Sequence, residues 1–297
     1  MKVAVTGGAG FIGQYVCEAL ITLDHEPLVF DHLGRGEYEV MLGDVRDPVS
    51  MTELAAHVDG IIHLAACLGT QETVRNPRPA TETNIMGGLN FLEACSQHQI
   101  PGCYIGVGNF NHFNPYSITK TTIERFCTMY NRDRSGRFNI VRAMNAYGPR
   151  QLAAAPYGPG KVRKITPSFV CRALRNHPLE IYGDGLQVSD MVYVGDVAMA
   201  LVLALEAAAR GEVFEDAIEC GPADHNTVLD VARLVIELAE SKSEIVHLPM
   251  RPGEVPGAVV VADVKTLKRI GMESEDMLPL REGMTKTIEY FQGQMHV

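Results

Sequence analysis

A tyrosine and a lysine four residues apart, Tyr116 and Lys120, are the pair whose spacing most directly suggests chemistry. On a helix, residues at i and i+4 lie on the same face, so the phenol and the ammonium group are expected to be neighbours. A free phenol has a pKa of about 10 and is a poor base at neutral pH. A neighbouring ammonium group favours the phenolate, and the pair can then remove a proton from a substrate hydroxyl. The spacing is common by itself, and it gains meaning only beside a cofactor site.

A glycine-rich segment at residues 6–13, TGGAGFIG, follows a short apolar run and precedes an amphipathic one. Gly7, Gly10 and Gly13 fit the pattern G-x-x-G-x-x-G, in which glycines allow a tight turn and close approach of the backbone to a pyrophosphate. The following helix then points its N-terminus at the anion. The alternative, a plain glycine-rich turn, explains less well why the segment stands between a strand and a helix. The segment predicts a dinucleotide site.

An acidic residue, Asp31, ends the second predicted strand, 18 residues after Gly13. A carboxylate there accepts hydrogen bonds from ribose hydroxyls and repels a 2′-phosphate, so NAD is favoured over NADP. Arg35 follows closely and keeps the NADP alternative open, and Asp31 could instead only begin a turn. Asp44, after the third predicted strand, could meet the adenine, whereas Asp47 could equally cap the next helix.

Further short motifs follow in order along the chain, and together with the glycine segment they resemble the extended branch of the short-chain dehydrogenase/reductase superfamily, specifically the NAD-dependent nucleotide-sugar epimerases and dehydratases. The resemblance covers nearly the whole chain and is more specific for the superfamily than for one reaction. The motifs are residues 44–47 (DVRD), 63–66 (HLAA), Asn84, 115–120 (PYSITK), 145–151 (NAYGPRQ), 182–185 (YGDG), 190–194 (DMVYV), 196–197 (DV) and 251–254 (RPGE).

The resemblance implies that Tyr116 removes a sugar hydroxyl proton, that Lys120 also holds the nicotinamide ribose, and that Asn145 and Arg251 contact a sugar-nucleotide diphosphate. No metal is expected. The residues expected to bind the cofactor, NAD, are Gly7, Gly10, Phe11, Ile12, Gly13, Asp31, His32, Asp44, Val45, Leu64, Ala65, Ala66, Asn84, Val107, Tyr116 and Lys120. The residues expected to bind the nucleotide-diphosphate sugar are Thr70, Gln71, Asn145, Arg150, Lys161, Arg163, Lys164, Tyr182, Arg251 and Glu254.

Two departures from the family pattern stand out. Relatives carry a Ser/Thr-rich segment after the fifth strand, whose hydroxyl assists the tyrosine, but here the eight residues between Val107 and Tyr116 include no Ser or Thr. Asn109, Asn111 or His112 could replace that hydroxyl, since an amide can donate to a developing oxyanion, and Thr70 is another candidate. The acidic partner typical of dehydratases and decarboxylases is absent there too. The second departure is Ser189, where relatives usually have an arginine that reaches the nucleotide phosphates.

The charge distribution supports an anionic substrate. The net charge is −10, yet the stretch between Asp133 and Glu180 contains nine Lys and Arg and no acidic residue, which leaves −19 for the rest of the chain. An acidic total argues against non-specific binding of nucleic acid. Arg150, Lys161, Arg163 and Lys164 lie in the basic stretch and could close over a diphosphate, although each could equally be a solvated loop charge.

The elements that must position these residues follow from the apolar pattern. Short β-branched runs alternate with helical patterns, which is typical of βαβ units and predicts a doubly wound, Rossmann-type parallel sheet with a smaller C-terminal α+β lobe. Strands are expected at residues 2–6, 27–30, 40–42, 60–64, 103–107, 138–142, 179–182, around 218 and 245–248. Helices are expected at residues 11–23, 49–57, 81–97, 116–134, 167–176, from 196, 228–240, 264–270 and 281–291, and a long loop at 143–164.

This organisation predicts an NAD-binding domain at residues 1–164, to which 190–210 returns, and a substrate-binding lobe at 165–297. The seven scattered cysteines suggest reduced, buried thiols in a cytoplasmic protein. No apolar run is long enough to cross a bilayer. Relatives commonly dimerise through two helices per subunit, and those at 81–97 and 116–134 are the candidates for a homodimer.

The preferred hypothesis for function is a nucleotide-sugar 4-epimerase, in which Tyr116 takes the proton of the 4-hydroxyl while C4 is oxidised by NAD and then reduced on its other face. A dehydratase or a 4-keto reductase would use the same site with another outcome. A non-catalytic nucleotide-binding protein that has lost its Ser/Thr is the third alternative.

Overall fold

The computed structural model describes residues 1–34 and 37–295, and Arg35 therefore lies outside the described residues. The strands within these ranges are β1 Lys2–Thr6, β2 Glu26–Asp31, β3 Glu39–Leu42, β4 Gly60–His63, β5 Gly102–Val107, β6 Phe138–Ala143, β7 Asn145–Tyr147, β8 Leu179–Tyr182, β9 Val188–Ser189, β10 Met191–Tyr193, β11 Ile218–Cys220, β12 Ile245–Leu248 and β13 Val259–Val260.

The helices differ widely in length. They are α1 Phe11–Thr22, α2 Pro48–Ala55, α3 Thr70–Arg75, α4 Arg78–Ala80, α5 Gly87–His98, α6 Pro115–Asp133, α7 Ile165–Ala173, α8 Val194–Ala209, α9 Val228–Leu238 and α10 Leu280–Met295. A π-helical segment, Thr81–Met86, leads into α5, and 3₁₀ helices occupy Val264–Ile270 and Ser274–Asp276.

Seven parallel strands form the central sheet in the order β11-β6-β5-β4-β1-β2-β3. The chain winds outward from β1 in both directions, which confirms the predicted doubly wound α/β fold. The direction of winding reverses between β1 and β4, and a crevice forms at the carboxyl ends of strands where this happens. The glycine segment after β1 opens into that crevice.

Two apolar layers hold helices to the sheet, because its strands are buried on both faces. On one face α1 and α8 pack Leu20 and Leu201 against Val3 and Val5. On the other face α2, α5 and α6 pack their apolar sides, including Phe91, against the remaining strand residues. Six of the seven free thiols are buried: Cys17, Cys103 and Cys220 in the first layer, Cys95 and Cys127 in the second, and Cys171 in the small lobe.

The small lobe has a core of its own, built from α7, α9, α10 and the parallel pair β8 and β12. The chain does not stay in this lobe after residue 164. It returns to the large sheet as α8, and again as the edge strand β11 and the 3₁₀ helix Val264–Ile270. Tyr147 and Ala153, which precede residue 164, also belong to the core of the small lobe. The expected boundary at residue 164 therefore does not divide the chain into two continuous halves.

Three local differences from the sequence prediction concern short or irregular elements. Helix α3 was not expected, because its six residues, TQETVR, are mostly polar and show no apolar period. The helix expected from residue 81 begins as π-helix and becomes α-helix only at Gly87. The expected loop 143–164 contains β7, which pairs with β10, and strands of three residues are too short to show an alternating pattern.

Within the described ranges, no helix combines the length and the apolar character that crossing a membrane requires.

Candidate active site

A cavity of about 420 Å³ lies between the carboxyl ends of β1, β5 and β6 and the small lobe. Tyr116 and Asn109 reach it from the large sheet, and Lys164 and Arg251 reach it from the opposite side. The other polar and charged residues of its lining are Thr70, Gln71, Glu72, His112, Asn145, Gln151, Arg163, Ser168, Glu180, Tyr182, Gln187, Ser189 and Glu254.

The glycine segment has no room for side chains. A Cβ atom on Gly13 would lie 2.5 Å from the carbonyl oxygen of Gly7, and a Cβ on Gly7 would lie 2.9 Å from the backbone nitrogen of Ala65. Gly7 also has φ +71°, which favours glycine. Among the described residues, no side chain caps the first turn of α1, so its N–H groups are available to an anion. These observations fit a dinucleotide pyrophosphate.

Asp31 stands at the end of β2 beside this turn. Its side chain accepts hydrogen bonds from the backbone nitrogens of Ala9, at 3.2 Å, and Leu33, at 3.0 Å. His32 lies at 3.2 Å from the Asp31 carboxylate. The carboxylate is thus fixed next to the glycine segment, where it could accept hydrogen bonds from ribose hydroxyls.

Tyr116 lies in the first turn of α6, half-buried against the cavity, and Lys120 is buried one turn later. Burial raises the pKa of Tyr116 to about 12. Burial also lowers the pKa of Lys120 to about 7, although the Glu124 carboxylate opposes this change. The predicted lowering of the phenol pKa by Lys120 is therefore not found in the protein alone, because burial of the phenol away from water raises its pKa.

Aromatic rings surround the Lys120 ammonium group. Its Nζ lies 4.1 Å from the centre of the Tyr104 ring. His63, stacked between Phe91 and Tyr104, shares a hydrogen bond of 2.9 Å between its Nδ1 and the hydroxyl of Thr6. Burial, together with the charge of Lys120, lowers the pKa of His63 to about 3. His63 is therefore neutral at working pH and leaves the positive charge to Lys120.

Cations and tyrosine dominate the other end of the cavity. The Arg251 guanidinium lies over the Tyr182 ring, 4.5 Å from its centre, and forms an ion pair with Glu254. Arg163 donates to the Tyr182 hydroxyl at 2.8 Å and pairs with Glu180. Lys164 completes this end of the cavity. The side chains could bind a diphosphate, with the carboxylates holding the arginines in place beforehand.

Comparison with known proteins agrees with this geometry. The model of the NAD dependent epimerase/dehydratase family matches residues 3–221. The chain belongs to this family. The protein is accordingly an NAD-dependent enzyme of this family. The geometry of the glycine segment and the position of Asp31 fit that cofactor.

Similar proteins within the family differ in their reactions. A putative UDP-glucose 4-epimerase of Methanocaldococcus jannaschii is 28% identical and aligns over 98% of both chains. A UDP-N-acetyl-alpha-D-glucosaminuronate decarboxylase of Bacillus cytotoxicus is 29% identical over 97% of this chain and 96% of its own. The crystal structure of a Thermotoga maritima UDP-glucose 4-epimerase with UDP-glucose has a TM-score of 0.86 and 29% identity, covering 99% of this chain and 100% of that one.

The loop between β5 and α6, residues 108–114 (GNFNHFN), contains no Ser or Thr, although the resemblance implies a hydroxyl there. Asn109 and His112 line the cavity beside Tyr116, and the His112 backbone nitrogen donates to the Asn109 carbonyl oxygen at 3.0 Å. Asn111 is exposed and is not among the lining residues. Thr70 lies at the start of α3, also on the cavity wall. Asn109, His112 and Thr70 thus remain the candidates for the group that assists Tyr116 in place of the missing hydroxyl.

Several residues of the family motifs do not line the cavity but form hydrogen bonds and packing contacts around it. The Asn84 side chain accepts from the Cys67 backbone nitrogen at 2.7 Å and donates to the Thr119 hydroxyl at 2.9 Å, which ties the π-helix to α6. Val45 is buried in the second apolar layer, and the Asp44 carboxylate pairs with Arg46. Leu64, Ala65 and Ala66 follow β4 next to the glycine turn.

Two of the four basic residues expected near the diphosphate lie elsewhere. Arg150 pairs with Glu18 at 2.6 Å and stacks on Tyr15, 3.9 Å from its centre, so its charge is neutralised on the surface of α1. Lys161 is exposed and is not among the lining residues. Arg163 and Lys164 do line the cavity, together with Asn145.

Gln151 and Gln187 are lining residues that sequence analysis did not single out. The Oε1 atom of each is buried without a hydrogen-bond partner among the described residues. Gln151 is the last residue of the motif at 145–151, and Gln187 lies between the motifs at 182–185 and 190–194, but no spacing pattern distinguishes either glutamine as a site residue. Both residues line the cavity, but these two oxygen atoms are themselves buried behind its wall.

Proposed function

We propose that the protein is a nucleotide-sugar 4-epimerase. The main support is the composition of the cavity wall, which includes Tyr116, two residues of the 6–13 segment (Phe11 and Ile12) and the cations Lys164 and Arg251. A sugar joined to a nucleotide through a diphosphate offers a hydroxyl to the phenol and two negative charges to the cations. A 4-epimerase from Thermotoga maritima, similar over its whole length, was crystallised with such a compound.

In this proposal Tyr116 accepts the proton of the sugar 4-hydroxyl and later returns it. Lys120, on the same face of α6, stabilises the phenolate while it is charged. When bound, NAD supplies reversible hydride acceptance and a positive ring that favours the phenolate. Asn109, the first residue after β5 with a polar side chain on the cavity wall, donates its amide to the oxygen at C4. The cofactor-binding residues are proposed to be those expected from the sequence, with Asn84 and Val45 acting through packing.

Substrate binding is proposed to rest on Arg163, Lys164, Tyr182, Arg251, Asn145 and the α3 residues Thr70 and Gln71. Glu254 is proposed to orient Arg251 rather than to contact the sugar, since the two form an ion pair. Arg150 and Lys161 take no part in binding.

Epimerisation is favoured over elimination by the composition of the 108–114 loop. A dehydratase or decarboxylase needs an acid near the reacting carbons, and this loop has none. One observation supports elimination as a second candidate: Glu72, in the first turn of α3, lines the cavity, and a decarboxylase is among the similar proteins. Its side chain could supply the missing acid.

Incubation of the NAD-loaded protein with UDP-, dTDP- and GDP-sugars, analysed by NMR, tests these alternatives. The proposal predicts a C4 epimer of at least one sugar with no net change in NAD, and a loss of about 10²–10⁴-fold in kcat for Tyr116→Phe. Solvent deuterium at C5 would instead identify a dehydratase, and consumption of NADH a reductase. Cofactor binding without turnover, equal in wild type and Tyr116→Phe, would indicate a non-catalytic protein.

A homodimer through α5 and α6 is part of the proposal. Met86 and Ile118 expose about half of their side-chain surface beside these helices, and Phe113 is 97% exposed at the start of α6. Sedimentation of the purified protein, compared with a Phe113→Ser, Ile118→Ser double variant, would show whether this face joins two copies.

A further inference from the structure

Arg142, on β6 behind the catalytic pair, contacts three other elements at once. Its Nε and Nη2 donate to Glu124 Oε2 on α6, at 3.0 and 2.7 Å. Its Nη1 donates to Glu219 on β11 at 3.2 Å. Its guanidinium carbon lies 3.7 Å from the centre of the Phe110 ring, in the 108–114 loop. One side chain therefore links the catalytic helix, the catalytic loop and the edge strand.

Glu124 is buried in an arrangement that stability alone does not explain. Its side chain is 4% exposed, and its Oε1 atom has no hydrogen-bond partner in the described part of the chain. A Cβ atom at Gly106 would lie 2.3 Å from that oxygen, so β5 needs a glycine there to admit the carboxylate. A buried charge with an unpaired oxygen is costly. An electrostatic task would account for its presence.

Lys120 lies one turn earlier on α6, four residues before Glu124, so the two side chains share one face of the helix. The other titratable groups around the ammonium are Tyr116 and Cys127 on α6, Tyr104 on β5 and His63 on β4. All of these are neutral at working pH unless Tyr116 is ionised. Glu124 is thus the carboxylate that supports the positive charge of Lys120, and it does so against the effect of burial.

The contact with Phe110 concerns the loop rather than the helix. Phe110 directly follows Asn109 and precedes His112, both of which line the cavity. A flat guanidinium stacks on an aromatic face in a way that a lysine ammonium does not reproduce. The stack holds the middle of the short loop against β6 while its ends continue from β5 and into α6.

We propose that Arg142 and Glu124 are positioning residues for the proposed epimerase. Arg142 fixes the Glu124 carboxylate near Lys120 and fixes Phe110 in the loop. Lys120 then supports Tyr116 from within α6, and Tyr116 and Asn109 meet the substrate in one arrangement. This inference rests on the proposed function for the identity of the reaction, but the electrostatic part can be measured without substrate.

The test compares isosteric substitutions of the two carboxylates that pair with Arg142, Glu124→Gln and Glu219→Gln. Both remove one negative charge, and a glutamine oxygen can still accept from Arg142. NMR titration of NAD-loaded protein carrying ¹³C-labelled lysine reports the Lys120 ammonium, with Lys120→Met identifying its signal. Loss of a nearby carboxylate disfavours the charged lysine, so Glu124→Gln should lower the pKa of Lys120 by about one unit, and Glu219→Gln should leave it unchanged.

An unchanged pKa in Glu124→Gln, or an equal shift in both variants, would overturn the electrostatic role. Circular dichroism and thermal melting check that each variant folds. For the loop, Arg142→Lys and Phe110→Leu should each lower kcat about tenfold at constant KM, and the double variant should be no worse than either alone. Additive losses would contradict the stack. Absence of any turnover would refute the proposed reaction while the NMR titration still decides the role of Glu124.

Discussion

His63 shows how far one buried side chain depends on its surroundings. It stacks on two rings, shares a hydrogen bond with Thr6 and is held neutral beside Lys120. The sequence alone marked His63 only as part of a family motif. Its pKa is a property of burial, which no spacing rule reveals.

The pKa of His63 predicts a loss of stability in mild acid. The unfolded chain takes up a proton near pH 6.5, but the folded protein does not until about pH 3. Stability from this residue is therefore complete above pH 6.5 and falls as the pH decreases below it, by roughly 2 kcal/mol at pH 5. Urea unfolding at pH 7 and pH 5 should show this loss in wild type. In His63→Gln the difference between the two pH values should be smaller by that amount; an equal difference would contradict the assignment.

Tyr116, Lys120 and the glycines could be identified from the sequence because their chemistry depends on spacing within one element. The contacts of Arg142 with Glu124, Glu219 and Phe110 could not, because they join residues from four elements that are distant in sequence. The raised pKa of Tyr116 was missed for a related reason, since spacing predicts a neighbour but not the loss of water.

The tight conformation of the turn between β1 and α1 is possible only because its glycines have no side chains. A Cβ atom at Gly13 would collide with Gly7 and Gly8, whereas one at Gly293, in α10, would meet nothing within 4 Å. We expect Gly13→Ala to abolish measurable NAD binding in calorimetry. Gly293→Ala is the matched control, which should bind NAD normally and gain up to ~1 kcal/mol from helix propensity. Normal affinity in Gly13→Ala would show that the cofactor lies elsewhere.

The start of α6 sets the position of Tyr116. The side chain of Asn114 caps this helix by accepting from the Ser117 backbone nitrogen at 3.0 Å. Thr227 caps α9 in the small lobe, in a reciprocal arrangement with Asp230. Asn114→Ala and Thr227→Ala should each cost ~1 kcal/mol of stability. Only Asn114→Ala should also lower kcat, by several-fold, because only its helix carries the phenol. Equal kcat values in the two variants would mean that the cap has no influence on the site.

Elements with a strong apolar pattern were predicted closely, and those without one were not. Of the strands β1 to β6, all except the edge strand β3 are buried runs, and the predicted limits differ from the structure by at most one residue at each end. Helix α3 and the strand β7 are short and depend on tertiary partners for their conformation. These unpredicted pieces form part of the cavity wall, so the sequence described the scaffold of the site better than its substrate side.

The basic stretch between Asp133 and Glu180 is less positive in the folded protein than its composition suggests. Of its nine cations, Arg142, Arg150, Arg163 and Arg172 form ion pairs with carboxylates that lie outside it. Lys164 has no carboxylate within 4 Å among the described residues, and it lines the cavity. The positive field at the substrate end is therefore concentrated on few side chains.

Separate substitutions of two lysines three residues apart, Lys164 and Lys161, test whether the positive field at the substrate is local. Lys164→Met should raise KM for the nucleotide sugar about tenfold, since loss of one charge-assisted hydrogen bond costs ~1.4 kcal/mol. Lys161→Met removes the same charge from an exposed position outside the cavity lining and should leave KM within about twofold. Steady-state kinetics at fixed ionic strength separates a local contact from a general field effect, because a general field would raise KM equally in both.

The buried cysteines lie in different cores, so their reactivity can report the order in which these cores unfold. Burial raises the pKa of Cys103 and Cys127 in the large sheet, and of Cys171 in the small lobe, so none of them reacts readily in the native state. Brief alkylation in low denaturant, followed by mass spectrometry of the peptides, would therefore show at which denaturant concentration each core first exposes its cysteine. Modification of Cys171 before the others would show that the small lobe melts first, and that the substrate half of the cavity is lost while the nucleotide half survives.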